Sequence, residues 1–158
     1  MEIRFAKPLD VPGILSLLRQ VGQVHHQARP DIFRAGAQKY GASQVLQMLN
    51  CSATPIFVAA EADQVLGYCF CQVKTVEQDP VMQDRTLLYI DDLCVDKTHR
   101  GQKIGTALYK AVCNYAKQRR CHSVTLNVWT CNPGALAFYE SLGLTAQKIG
   151  MEFLLEDG

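Results

Sequence analysis

Leu87 to Ala107 reads LLYIDDLCVDKTHRGQKIGTA. Nine residues rich in apolar, β-branched and aromatic types, Leu87 to Val95, are too short for a typical helix and describe a largely buried strand. Asp96 to His99 turns the chain, and Arg100, Gly101 and Gly105 lead into Ile104, Ala107, Leu108, Ala111, Val112 and Tyr115. That spacing marks one apolar face of a helix. A glycine loop feeding a helix N-terminus leaves amide N–H groups without intrahelical acceptors, with the positive end of the helix dipole behind them. Arg100 and Lys103 add charge there, so a phosphate or pyrophosphate is the expected guest.

Two other phosphate loops are excluded by spacing. Gly101 and Gly105 stand too close together for G-x-x-x-x-G-K-[ST], Gly105 is followed by Thr106, and no G-x-G-x-x-G occurs.

Working outward, the chain has 158 residues, 48% of them hydrophobic, which suits one well-buried domain. Sixteen Lys and Arg face 15 Asp and Glu, a balance without the basic field that dominates nucleic-acid or anionic-membrane binding. The N-terminus carries Glu2, Arg4 and Lys7 with no apolar core of a secretory signal, and no apolar run approaches a membrane span. Seven cysteines, an odd number without a C-x-x-C pair, suit reduced thiols in a cytoplasmic protein; Cys69 and Cys71 share one strand face and read as core.

Glu2 to Ala6 alternates as a first strand. Asp10 is positioned to cap a helix with Ile14, Leu17, Leu18 and Val21 on its apolar face. Gly22 to Lys39 mixes His25, His26, Arg29, Pro30, Asp31, Phe33 and Gly36 and has no clear period; such segments often line sites. Ser43 is expected to cap a short helix ending near Asn50. Pro55–Ala60 and Val65–Val76 are two strands joined by the polar Glu61–Gln64 connection of a hairpin. His122 to Trp129 alternates as another strand, Cys131–Gly134 breaks it, and Ala135, Phe138, Tyr139 and Leu142 have helical spacing before Gly143 at a C-cap. Lys148 to Leu155 is a final strand candidate. The order β, two helices, three β, helix, β, helix, β is that of an α/β domain around one mixed sheet.

The Arg100-Gly101-Gln102-Lys103-Ile104-Gly105 loop, followed about thirty residues later by Asn132-Pro133-Gly134-Ala135-Leu136-Ala137-Phe138-Tyr139-Glu140-Ser141-Leu142-Gly143, resembles the GNAT N-acetyltransferases. The likeness departs at Lys103, which stands where the pattern has its first glycine. It implies a single acetyltransferase domain over residues 1–158: a mixed, mostly antiparallel sheet, helices on both faces, and a central strand that splays from its neighbour. It also implies acetyl-CoA as co-substrate and an amine as acceptor. The pyrophosphate would lie on the amides of Gly101, Gln102, Lys103, Ile104 and Gly105, helped by Arg100 and Thr106. Leu93, Cys94 and Val95 would pair with the pantetheine arm as an added strand does, the Leu93 amide facing the thioester carbonyl. Tyr139 corresponds to the tyrosine that protonates the departing thiolate, and Asn132 to a residue holding pantetheine or a water.

For the base, Asp91 and Asp92 are two carboxylates in an otherwise apolar strand. Strand alternation sends them to opposite faces, unless a β-bulge reverses the argument. Asp92 holds the position where acidic residues resemble the family's base or its water-holding partner; Asp91, His25, His26 or water are the alternatives. Tyr40 and Trp129 are further candidates for the acceptor pocket. A metal site is not expected. The readings to be separated are a transferase acting by direct amine attack, an acyl-CoA sensor without chemistry, and a nucleotide-binding domain. A homodimer formed through Gly150–Leu155 is compatible with all three.

Overall fold

A computed structural model describes residues 1–155. Met1–Asn127 forms one compact unit, and the chain from Val128 onward forms a second.

In the first unit five strands lie in sequence order: β1 (Glu2–Phe5), β2 (Ile56–Glu61), β3 (Gln64–Val76), β4 (Arg85–Val95) and β5 (Ser123–Leu126). Neighbours from β1 to β4 pair antiparallel; β4 and β5 pair parallel, with helix α3 (Ile104–Gln118) connecting them. Helices α1 (Val11–Ala28) and α2 (Ala42–Leu49) complete the unit. The expected α/β class with a mixed, mostly antiparallel sheet is what forms.

Alternation along the central strands divides the core into two layers. Ile56, Val58, Tyr68, Phe70 and Cys94 pack against Ile14, Leu17 and Leu18 of α1 and Val45 of α2. Phe57, Ala59, Leu66, Cys69, Cys71, Leu88 and Ile90 pack against Ile104, Leu108 and Val112 of α3. Cys69 and Cys71 are buried with their sulfurs 3.8 Å apart, as core thiols.

Several local expectations change. Asp10 is not the side-chain cap of α1. Its carboxylate instead takes a two-pronged hydrogen bond from the Arg4 guanidinium, at 2.7 and 3.0 Å, and the Lys7 N–H at 2.7 Å. The paired guanidinium and this N–H outweigh desolvation and hold Asp10 below the usual carboxylate range. α1 runs on through His25 and His26 to Ala28, and the residue before α2 is Gly41 in place of Ser43. The β2–β3 hairpin closes over two residues, Ala62 and Asp63, with Ala62 at φ 52°.

The second unit holds α4 (Pro133–Ser141). Asn132 caps it, Oδ1 accepting from the Ala135 N–H at 3.2 Å. Gly143 at φ 97° ends it in a Schellman turn, with Leu144 N–H donating to Tyr139 C=O and Gly143 N–H to Glu140 C=O. The strand expected over Lys148–Leu155 does not form: these residues carry neither helix nor strand. β5 likewise stops at Leu126, short of Trp129.

Candidate active site

The site begins where β4 and β5 part. Their ladder runs from Leu87↔Ser123 to Ile90↔Leu126 and ends there, while β4 continues for five residues, Asp91 to Val95. On its other side this continuation stays paired to β3, through Phe70↔Asp92, Cys69↔Leu93, Tyr68↔Cys94 and Gly67↔Val95. One edge of Leu93, Cys94 and Val95 therefore has no strand beside it among the described residues, and its backbone groups can take an extended ligand.

The second feature is a bulge. Cys71 faces Ile90 and Phe70 faces Asp92, so Asp91 is an extra residue in β4 with no opposite number. Ile90 points to the α3 layer, whereas Cys94 belongs to the α1 layer, and Asp92 accepts from Tyr68 of that same layer. The bulge thus overturns the expectation from alternation and brings both carboxylates to one face.

Asp91 Oδ2 accepts from the Tyr40 hydroxyl at 2.6 Å, and its Oδ1 pairs with Lys39 Nζ at 3.0 Å. Asp92 Oδ2 accepts from the Tyr68 hydroxyl at 2.7 Å. Burial pushes the Asp92 pKa up; the Tyr68 hydrogen bond and the Lys39 and His25 charges oppose it, and Asp91 adds to the rise. Burial and the carboxylates likewise push the Tyr40 and Tyr68 phenols well above their ordinary values, so both are hydrogen-bond donors at neutral pH.

Lys39 and Tyr40 end the segment after α1, the part of the sequence without a clear period. It is tied down at its start: the His25 ring stacks on Phe33 with centroids 4.7 Å apart, and His26 Nδ1 lies 2.8 Å from Phe33 C=O. Gly22 makes room further along, since a Cβ there would run into the Ala37 carbonyl oxygen. The histidines act as anchors of this segment.

Past Val95 the chain reaches the glycine loop. Asp96 accepts from Thr98 N–H at 3.2 Å, and Gln20 of α1 holds the turn through Asp96 and the Lys97 amide. Gly101 at φ 85° and Lys103 at φ 61° both lie in the left-handed region, so the loop turns its amides sharply before α3 begins at Ile104. Lys103, where the pattern has a glycine, keeps the backbone shape that a glycine would favour. Arg100, Gly101, Gln102 and Lys103 are exposed, Gly105 and Thr106 partly so. Buried Ile104 and Leu108 fix the helix start against Gly67, where a Cβ would meet Cys94 C=O at 2.9 Å and Leu108 Cδ1 at 3.1 Å. Hence the open edge of β4 and the N-terminus of α3 are set by one packing contact.

Cys94 is turned away from the open edge. Its buried sulfur lies 3.9 Å from Leu17 C=O, and burial lifts its pKa to about 12. In the second unit Tyr139 is partly buried, its ring edge-on to Phe138 with centroids 5.2 Å apart. Asn132 uses its Oδ1 to cap α4. Among the described residues no group of three or more His, Cys, Asp or Glu could hold a metal ion, and no helix is long and apolar enough to cross a membrane.

Lys39, Tyr40 and Tyr68 as partners of the carboxylates were not separately legible as a set. Only the register of the bulge brings them together.

Comparison with known proteins shows the family and the fold. Residues 23–144 match the acetyltransferase (GNAT) family, well over half of the chain. A mutant of the BH1408 protein of Bacillus halodurans has a structure that superposes with a TM-score of 0.94 at 32% identity, over 99% of this chain and 100% of that one. The N-alpha-acetyltransferase 30 of Schizosaccharomyces pombe is 36% identical over 93 residues, 58% of each chain. An aminoglycoside N-acetyltransferase in complex with CoA shares the fold, with a TM-score of 0.73 at 11% identity over 98% of this chain and 99% of that one. The chain belongs to the GNAT acetyltransferase family. It spans about half the length of the curated relatives it matches.

Proposed function

We propose that this chain is a single acetyltransferase domain over residues 1–158 that moves the acetyl group of acetyl-CoA to a primary amine by direct attack. The observation that carries the reading is the five-residue run of β4 beyond its last β5 partner, leading into the loop before α3. An open strand edge suits the amide groups of a pantetheine arm, and outward-turned amides with Arg100 and Lys103 beside them suit a pyrophosphate. The donors at the two places fit the two halves of that molecule.

In this reading Leu93, Cys94 and Val95 pair with pantetheine, and the amides from Gly101 to Thr106 hold the pyrophosphate. The Leu93 N–H stabilises the oxyanion of the attacked thioester carbonyl. The acceptor enters as an ammonium drawn to Asp91 and Asp92. Asp92 takes its proton, directly or through water, and the neutral nitrogen forms the new C–N bond as the C–S bond breaks. The Tyr139 hydroxyl gives its proton to the departing thiolate and regains one, directly or through water, as the nitrogen sheds its second proton on becoming an amide; Asn132 steadies the pantetheine through a water or its amide. A covalent acetyl-cysteine is disfavoured by the burial and raised pKa of Cys94. The bearing of acidic groups on this face favours acceptors that carry positive charge.

The test is mass spectrometry of acetyl-CoA incubated with the protein and a panel of polyamines, amino acids and peptides with free N-termini. A protein-dependent acetylated amine is the expected product. No product across the panel, with acetyl-CoA nevertheless raising Tm, would replace the transferase by a binding module.

A further inference from the structure

Lys39 carries a primary amine onto the carboxylates to which the acetyl-transfer reading draws the acceptor. Its Nζ donates to Asp91 Oδ1 at 3.0 Å and reaches the Asp91 C=O at 3.5 Å, and its charge acts on Asp92 as well. Asp91 is the bulged residue at which β4 runs on past its last β5 partner. The amine therefore stands at the start of the open edge.

The neighbours of Lys39 hold it there. Gln38 accepts from Arg19 of α1 at 3.0 Å and donates to the Tyr40 C=O at 2.8 Å. Tyr40 is fixed by its hydroxyl on Asp91 Oδ2 and by its ring against Phe70, with centroids 5.4 Å apart. The backbone of Lys39 is thus clamped on both sides, while its side chain is 47% exposed. An ion pair with one partner this exposed is held weakly. Leu93, whose N–H faces the thioester carbonyl in that reading, lies roughly 7 Å further along the strand. Rotation within the flexible four-carbon stem of a lysine covers that span while the backbone stays in place.

We propose that Lys39 is an internal acceptor: with acetyl-CoA bound, its Nζ takes the acetyl group in cis and becomes N-acetyl-lysine. The proposal rests on the acetyl-transfer reading and deepens it by naming an acceptor within the chain. The Lys39 ammonium gives one proton to Asp92, directly or through water, and the neutral nitrogen attacks the thioester carbonyl. The C–N bond forms as the C–S bond breaks, the thiolate leaves with a proton, and the nitrogen sheds its second proton to water on becoming an amide. An amine tethered beside the reacting carbon needs no encounter step, and its effective concentration is on the order of millimolar or higher. Acetylation removes the charge of Lys39, so Asp91 loses its cation and the face is left more acidic.

The full chain incubated with acetyl-CoA alone tests this, each lysine being followed by peptide mass spectrometry. Lys39 should be acetylated about tenfold or more faster than the chain's other lysines, and faster by the same margin than Lys39 of the urea-unfolded chain. Its first-order rate constant should hold over about a fiftyfold range of protein concentration, as transfer within one molecule requires. An acetylated amine from the panel beside an unmodified Lys39 would overturn this inference and leave the transferase standing. No acetylation of either, with Tm raised by acetyl-CoA, would overturn both. A rate constant that grows with protein concentration would assign the transfer to a second molecule, and one equal to that of the unfolded chain would assign it to uncatalysed chemistry; either result would overturn the proposal.

Discussion

The Tyr68 hydroxyl donates to Asp92 Oδ2 at 2.7 Å, from a strand on which Tyr68 is otherwise fully buried. The hydrogen bond favours the ionised carboxylate, but desolvation outweighs it, and the Asp92 pKa lies above the usual ~3.9. A carboxylate so placed holds its proton more tightly in the folded chain than in the unfolded one. It therefore favours folding at acidic pH, and this contribution is lost as pH rises through the folded pKa.

Asp92→Asn removes that cost while retaining an acceptor for Tyr68. The expected result at pH 7.5 is a Tm higher by about 2–4 °C, shrinking toward pH 4, together with a fall in kcat of about 10²-fold or more. In the wild-type protein kcat/KM should rise with pH as Asp92 ionises, and the variant should lose that limb. A variant with full activity and the same pH profile would remove Asp92 as the base and return the role to Asp91, His25, His26 or water.

Gly67 sets the distance between the open β4 edge and α3. Its absent side chain accommodates Cys94 C=O, Leu108 and Ile104. Gly67→Ala should cost about 1–3 kcal/mol through overpacking and weaken acetyl-CoA binding by shifting the loop, measured by urea denaturation and calorimetric titration. The 2.9 Å approach is to backbone, which cannot swing aside as a side chain would. Unchanged values in both measurements would show that the helix start does not depend on this contact.

Lys103 stands at φ 61° with its side chain exposed. A β-carbon in the left-handed region costs about 1 kcal/mol, so Lys103→Gly should raise stability by several tenths of a kcal/mol even after the added chain entropy of glycine. Two contributions to acetyl-CoA binding separate here. Loss of the ammonium should raise Kd severalfold at low salt and much less at 0.5 M, whereas a salt-independent change would assign the effect to backbone shape.

Much of this was open to inspection in the sequence. Ile104, Leu108 and Val112 announced the α3 face by their period, and Gly101 announced a turn that L side chains resist. What the pattern could not carry was the bulge: hydrophobicity at Leu88, Ile90, Leu93 and Val95 records faces, but an inserted residue between Ile90 and Asp92 changes the register without changing composition. The same limit hid α1 beyond Val21. His25 and His26 are polar in a helix whose last turns pack on the Phe33 segment, so amphipathicity fades where the helix continues. Lys148–Leu155 shows the converse: its period-2 pattern reports the faces of a strand, yet the residues carry neither helix nor strand.

The segment from Arg29 to Tyr40 meets β4 through Lys39 and Tyr40 on Asp91. Lys39→Met would free Asp91 Oδ1 for a cationic acceptor, and Tyr40→Phe would free Oδ2. Each should change acceptor KM severalfold, Lys39→Met lowering it for polyamines, with acetyl-CoA Kd unaltered. Gly22→Val should disturb the same segment from beneath, through Ala37, raising acceptor KM without changing acetyl-CoA affinity. Parallel changes in acetyl-CoA Kd for all three would move this segment out of the acceptor pocket.

Tyr139→Phe addresses the acid. A phenol can give its proton to a thiolate, whereas phenylalanine keeps the ring against Phe138 and loses only the hydroxyl. An interaction made only as the C–S bond breaks lowers kcat without weakening ground-state binding. The expected outcome is a 10²-fold or greater fall in kcat with acetyl-CoA Kd within twofold of wild type, by product mass spectrometry and calorimetry. A poorer leaving group should be hurt more, so replacing the thioester by its oxygen ester in a CoA analogue should widen the gap between the two proteins. An equal gap for both leaving groups would show that Tyr139 orders the site by packing and that water delivers the proton.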